Sequence, residues 1–197
     1  MIRLTRKDCP NPTALLSGNY KHPDNKQALK ESSFNKCMYC ESKVTHIDYG
    51  DVEHIKPKSK YPELEFYWDN LGYSCTRCNR QFKNDNYDES LPFINPYENN
   101  PSDFIIANGS LLFSKQGNEN GDLTITGLGL NRPELIEKRQ ERINEVDKAI
   151  KACFRTSNET LKMNALNELA KEAIDSKEYS LVIKSLFDSH NIEVKSA

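Results

Sequence analysis

Cys37-Met-Tyr-Cys40, then Asp51-Val-Glu-His-Ile-Lys-Pro-Lys-Ser59, then Trp68-Asp-Asn-Leu-Gly-Tyr-Ser-Cys75-Thr-Arg-Cys78-Asn79-Arg-Gln-Phe-Lys83-Asn-Asp85 form the stretch that decides how this chain folds. It holds two Cys-x-x-C pairs. Each tight knuckle can aim two sulfurs at a point about 2.3 Å away, so four thiolates can surround one zinc ion tetrahedrally. A pair of disulfides is the competing arrangement, but it belongs to oxidising compartments, and the opening residues Met1 to Pro12 lack the apolar core of a signal peptide. The expectation is structural zinc on Cys37, Cys40, Cys75 and Cys78, with Cys9 and Cys153 left as free thiols.

The residues between the knuckles are too many for a bare ribbon loop and should form a folded unit with room for a site of its own. Asp51 to Ile55 reads as a short strand that ends where Pro57 removes a backbone donor. Neighbours on a strand point to opposite faces, so Glu53 and His54 can converge on one site only if the strand ends or kinks there. Cys75 to Asp85 is polar apart from Phe82 and reads as a short helix closed near Asn86, with Asn79 in its first turn. An isolated Glu-His pair is usually an ordinary solvated strand residue beside an ordinary histidine. Between two zinc knuckles the balance reverses.

The order Glu53-His54-Ile-x-Pro, Trp68-x-Asn70-Leu71, Cys75-x-x-Cys78-Asn79 and Lys83 resembles the HNH endonucleases whose ββα-metal finger is stapled by four cysteines. The resemblance implies that Glu53 and Asn79 hold one divalent cation, that His54 is the general base, and that Asn70 orients it. The chemistry is coherent. Phosphodiester hydrolysis needs an activated water and neutralised charge in the transition state. A hard cation held by a carboxylate and an amide oxygen suits Mg²⁺ or Mn²⁺, and an imidazole neutral near pH 7 can take a proton.

The net charge of −2 gives no overall electrostatic footprint for nucleic acid. Only residues 1–36 carry a basic excess. Lys56, Lys58, Arg80 and Lys83 lie close to the proposed site in sequence and are candidate phosphate contacts, so weak intrinsic affinity for DNA, or help from a partner, is expected. No apolar run is long enough to span a bilayer, and the chain is expected to be cytoplasmic without membrane contact.

Outward from the finger, residues 1–36 read as an irregular arm with a short helix around Asn25 to Ser33, and His22 as an ordinary histidine. The finger itself covers 37–90. In 91–130, Phe104 to Ala107 and Ser110 to Ser114 flank Asn108-Gly109, a strong hairpin signal. Gln116 to Asp122 reads as a loop and Leu123 to Thr126 as a third strand. In 131–197, Asn131 is the expected cap of a long amphipathic helix from Pro133 to about Phe154. A second helix is expected over Glu159 to Ile174 and a third over Lys177 to Phe187, with a frayed tail from His190. The fold class is therefore α+β: a zinc-stapled HNH finger, a small antiparallel hairpin and a C-terminal helical lobe.

Pro92-Phe-Ile-Asn-Pro-Tyr-Glu and Gly129-Leu-Asn-Arg extend the resemblance to the HNH proteins of bacterial anti-phage loci, the Septu-type subunit and its retron-associated relatives. That resemblance implies a DNA-cutting effector controlled by an ABC-type ATPase encoded nearby. The helical lobe, with more apolar surface than a small finger needs, is expected to bind a partner or a second copy of the chain. Two other functions compete: a zinc-stapled module that binds nucleic acid or protein without cutting, and a stand-alone McrA-like restriction nuclease. The complete set of Glu53, His54, Asn70 and Asn79 argues against the first, and the lack of a second DNA-reading domain against the other.

Overall fold

The computed structural model describes residues 1–44 and 49–193. Two short helices open the chain, α1 (Pro12–Leu16) and α2 (Pro23–Ser32), and both have proline in the first turn, where its missing N–H costs nothing. His22 caps α2 by accepting from the Asp24 amide through Nδ1. An antiparallel pair follows, β1 (Asp51–His54) with β2 (Leu71–Ser74), in which Glu53 faces Gly72 and His54 faces Leu71. A seven-residue π-helical segment, Arg77–Lys83, completes the ββα unit.

Downstream, β3 (Ile105–Asn108) and β4 (Leu111–Ser114) form the expected hairpin around Gly109. The third strand does not exist: Leu123 to Thr126 lies inside a helix, α3 (Glu119–Gly127), which begins within the stretch expected to be loop. Asn118 caps it by accepting from the Gly121 amide, and the buried Thr124 hydroxyl accepts from the Ile94 amide. These contacts outweigh the weak strand preference of Leu-Thr-Ile-Thr.

The C-terminal part comprises α4 (Pro133–Phe154), α5 (Glu159–Ala170) and α6 (Ser180–Ser189). Three boundaries differ from those expected. Arg132, not Asn131, occupies the α4 cap position, because the Asn131 amide is engaged with the backbone N–H and C=O of Leu112 on β4. The second helix ends earlier, passing into a single tight turn at Lys171–Ala173. The third starts later, after Tyr179 adopts a left-handed conformation with φ 55°. Of the tail, residues 194–197 lie outside the described residues, and His190 Nε2 sits 3.1 Å from Asp147 Oδ1.

One buried cluster receives side chains from every part of the chain: Met1, Ile2 and Leu4, the four knuckle cysteines, Ile94, Ile105 and Leu112, and Ile150, Ile183 and Phe187. The lobe is thus built into the core. α4 and α6 supply most of its apolar face, whereas α5 buries only Leu166. Glu41, directly after the first knuckle, ties this part to the finger by accepting from the Ser180 N–H and hydroxyl at 2.9 and 2.7 Å. A second, smaller cluster of Leu15, Leu29, Val52, Leu71 and Tyr73 packs α1 and α2 against the β1–β2 pair. No helix among the described residues is long and apolar enough to cross a membrane.

Candidate active site

The four knuckle thiols converge. All are buried, none is disulfide-bonded, and their sulfurs lie within 4.8 Å of one another. Cys40 Sγ and Cys75 Sγ are 3.9 Å apart, close to the roughly 3.8 Å edge of a tetrahedron with metal–sulfur bonds of 2.3 Å. The donor set and its spacing fit zinc. The first knuckle is held in place by β2, since the Met38 amide donates to the Tyr73 carbonyl at 3.0 Å. Gly72 makes room for it: a Cβ there would meet Met38 Sδ at 2.3 Å. From 54 residues downstream, Arg132 donates to Cys78 Sγ at 3.5 Å and lies over the Phe82 ring. A guanidinium here offsets the negative charge of a four-thiolate site. Cys9 and Cys153 stand outside the cluster.

His54 closes β1. Its Nε2 lies 3.0 Å from the Glu65 carbonyl, and because a carbonyl can only accept, Nε2 carries the hydrogen and Nδ1 is left as the basic nitrogen. The edge of the Tyr20 ring packs against the imidazole at 4.7 Å. Burial lowers the imidazole pKa from its ordinary value, partly offset by the Glu65 carbonyl, so the ring is neutral near pH 7.

Asn70 does not touch the imidazole. Its side-chain oxygen accepts from the Lys56 amide at 2.7 Å, and its amide donates to the carbonyls of Lys56 (2.9 Å) and Leu64 (3.2 Å). It therefore staples together the two ends of the loop that follows β1. Glu65, next to Leu64, supplies the carbonyl that fixes His54.

The π-helical segment lies along the strand face that carries Asp51 and Glu53. Asn79 Nδ2 is 3.4 Å from Asp51 Oδ2, and Arg80 grips both oxygens of Asp51 at 2.8 and 2.6 Å. Lys83 Nζ is 2.7 Å from Glu53 Oε1. Glu53 is fully buried, and burial raises its carboxyl pKa against the pull of Lys83 and of the Tyr39 hydroxyl, which donates to Oε1 at 3.2 Å. Glu53 Oε2 is buried and has no hydrogen-bond partner among the described residues.

A cavity of about 320 Å³ opens beside this seam, lined by Asp51, His54, Lys58 and Tyr20 on one side and by Asn79 and Arg80 on the other. The structure thus brings His54 and Asn79 to one cavity, together with Lys83, whereas neither Asn70 nor the fully buried Glu53 lines it. Lys58 and Arg80 stand at its rim, paired with Glu65 and Asp51. Lys56 points elsewhere, towards Glu89 and the Tyr61 ring. Lys83 also lines the cavity, but it is only 1% exposed and its ammonium is paired with Glu53.

Sequence reasoning missed Asp51, Tyr39 and Arg132. Asp51 carries a visible signal, since it sits two residues before Glu53 and so on the same strand face. Tyr39 and Arg132 reach the site only through tertiary contacts.

Comparison with known proteins agrees with this geometry. Residues 37–85 match the HNH endonuclease family model. The chain is 30% identical over 223 aligned positions to the Septu protein PtuB of Bacillus thuringiensis, covering 99% of this chain and 85% of that protein. A Septu protein PtuB of Bacillus mycoides (strain KBAB4) is 28% identical over 158 positions, 65% of this chain and 54% of that one. The Retron Vc95 putative HNH endonuclease of Vibrio cholerae serotype O1 biovar El Tor is 34% identical over 128 positions, 59% and 62% of the two chains. The matched stretch thus spans only about half of the Bacillus mycoides protein. With four clustered thiols, an HNH signature and near-complete coverage by a PtuB relative, the chain belongs to the HNH endonuclease family, in the group of the Septu protein PtuB.

Proposed function

We propose that this chain is a divalent-metal-dependent HNH endonuclease that hydrolyses DNA phosphodiester bonds, and that it is the nuclease effector of an anti-phage system working with an ABC-type ATPase. The carrying observation is the imidazole of His54, whose Nε2 is committed to the Glu65 carbonyl while Nδ1 remains to accept a proton beside the cavity shared with Asn79. Glu53 and Asn79 are the ligands for Mg²⁺ or Mn²⁺. The donor set, one carboxylate and one amide oxygen, is hard, and Glu53 Oε2 is a buried acceptor in want of a partner. When bound, the cation supplies charge neutralisation at the phosphate and the leaving oxygen.

His54 takes a proton from the attacking water as its oxygen bonds to phosphorus and the phosphorus–oxygen bond to the leaving strand breaks. Asn70 keeps the base aimed by fixing the loop that carries Glu65. Lys58 and Arg80 give up their carboxylate partners to phosphate oxygens at the cavity rim. A chain with a net charge of −2 gains affinity from its ATPase partner, and the name of the PtuB relatives supports the defence setting.

The test is to incubate the purified chain, alone and with the ATPase encoded beside it, with plasmid, single-stranded DNA and tRNA, with and without Mg²⁺ or Mn²⁺. Metal-dependent DNA cleavage, strengthened by the ATPase, supports the proposal. Binding of DNA without cleavage under every condition would favour a non-cutting module.

A further inference from the structure

The π-helical turn does more than carry Asn79. Its i-to-i+5 bond, from the Asn84 amide to the Asn79 carbonyl at 2.6 Å, widens the helix by about one residue per turn. Positions four apart share a helix face, so both Asn79 and Lys83 meet the β1 face, one beside Asp51 and the other beside Glu53. Strand residues 51 and 53 share a face, so the two pairs lie side by side.

The second pair is closed to solvent: the side chains of Lys83 and Glu53 are 1% and 0% exposed. Lys83 Nζ also donates to the His54 carbonyl at 2.8 Å. Glu53 Oε1 is therefore doubly engaged, by Lys83 and Tyr39, while Oε2 has no hydrogen-bond partner among the described residues. A buried carboxylate needs a cation. Here the chain provides one of its own, at the carboxylate that the proposed function assigns to the divalent ion.

We propose that Lys83 is the resident counter-cation of Glu53, a positioning residue whose ammonium takes the place of the divalent ion in the cation-free protein and is displaced when that ion binds. In so dry a setting an ammonium on Oε1 and a divalent ion on Oε2 of the same carboxylate repel each other strongly. Cation affinity is therefore lowered by the strength of the Lys83–Glu53 pair, and the protein rests in a stable, cation-free, inactive form. This inference rests on Glu53 being a cation ligand.

The experiment measures Mn²⁺ binding by calorimetry to the full zinc-loaded chain and to Lys83→Met and Glu53→Gln. The expected result is that Lys83→Met melts lower than the parent without Mn²⁺ but binds Mn²⁺ at least about 10-fold more tightly. Equal or weaker Mn²⁺ binding by Lys83→Met overturns the inference. Glu53→Gln separates the two levels of argument: if it binds Mn²⁺ like the parent, Glu53 is not a ligand, and the site assignment itself fails. Should Lys83→Met not fold, the parent alone decides. In the cation-free protein the buried Lys83 ammonium should give a slowly exchanging NMR signal. Its loss at saturating Mg²⁺ supports displacement, and its persistence overturns it.

Discussion

The two halves of the finger handle charge in opposite ways. At the knuckles, four chemically identical donors converge within 4.8 Å of one another, with Arg132 donating to Cys78, and the set fits a metal. At the nuclease seam each acid already has a cation from the chain itself: Arg80 for Asp51 and Lys83 for Glu53. The first arrangement makes metal binding a condition of folding. On the proposed assignment, the second lets the fold stand without a catalytic ion and leaves that ion exchangeable. The contrast between closed structural and open catalytic sites follows from donor chemistry.

The largest expected effect lies on the knuckle side. Cys75→Ser, or removal of zinc by a strong chelator, should abolish cooperative unfolding and leave an insoluble or molten chain. Structural zinc in small fingers contributes about 10 to 16 kcal/mol of apparent binding energy that is also folding energy. Elemental analysis should find one zinc per chain in the parent and still one in a Cys9→Ser, Cys153→Ser double variant. A parent without zinc and with a normal melting curve would break the comparison at its root.

On the seam side, Asn70→Ala should leave zinc content at one per chain. It should lower cleavage by roughly one to two orders of magnitude, since a base that is no longer aimed loses about half, on a log scale, of its contribution of about 10² to 10⁴. It should also cost about 1 to 3 kcal/mol in urea unfolding, because the backbone groups of Lys56 and Leu64 lose their partner. A large loss of stability with full cleavage would show that Asn70 only staples the loop.

Arg132→Met should weaken zinc by about 10-fold, the lower end for loss of a hydrogen bond to a metal ligand, read as faster zinc release to a chelator. The smallest effect concerns pH. Burial lowers the His54 pKa below its ordinary 6.5, so the neutral base persists as pH falls through 6.5, and the acid limb of the cleavage profile should lie beneath that value. An acid limb above 6.5 would place a different group in the role of base.

Much of this was visible in one dimension because it is set locally. Cys37, Cys40, Cys75 and Cys78 announce their metal by spacing, the Asn108-Gly109 turn by its dihedral needs, and α4 by apolar residues from Leu135 to Ile150 at helical period. What sequence could not reveal depended on distant partners. Leu123 to Thr126 looks like a strand until Asn118 and the Ile94 amide are in place. Lys83 looks like one more basic residue beside a nuclease motif. Its packing against β1, which no local periodicity reveals, carries it inside to Glu53. Asn70 reaches His54 only indirectly, by donating to the Leu64 carbonyl next to Glu65, whose carbonyl meets the imidazole, a route that no motif spells out.

The central claim is that His54 moves a proton while Glu53 and Asn79 hold a cation, and one titration tests it most directly: plasmid cleavage by zinc-loaded parent, His54→Ala, Glu53→Ala and Asn79→Ala across a range of Mn²⁺. The account predicts a loss of about 10² to 10⁴ in rate for His54→Ala, with zinc content and melting unchanged and no recovery at any Mn²⁺ concentration, whereas Glu53→Ala and Asn79→Ala regain part of their activity as Mn²⁺ rises. Cleavage by His54→Ala at the parent rate under every metal condition would contradict it.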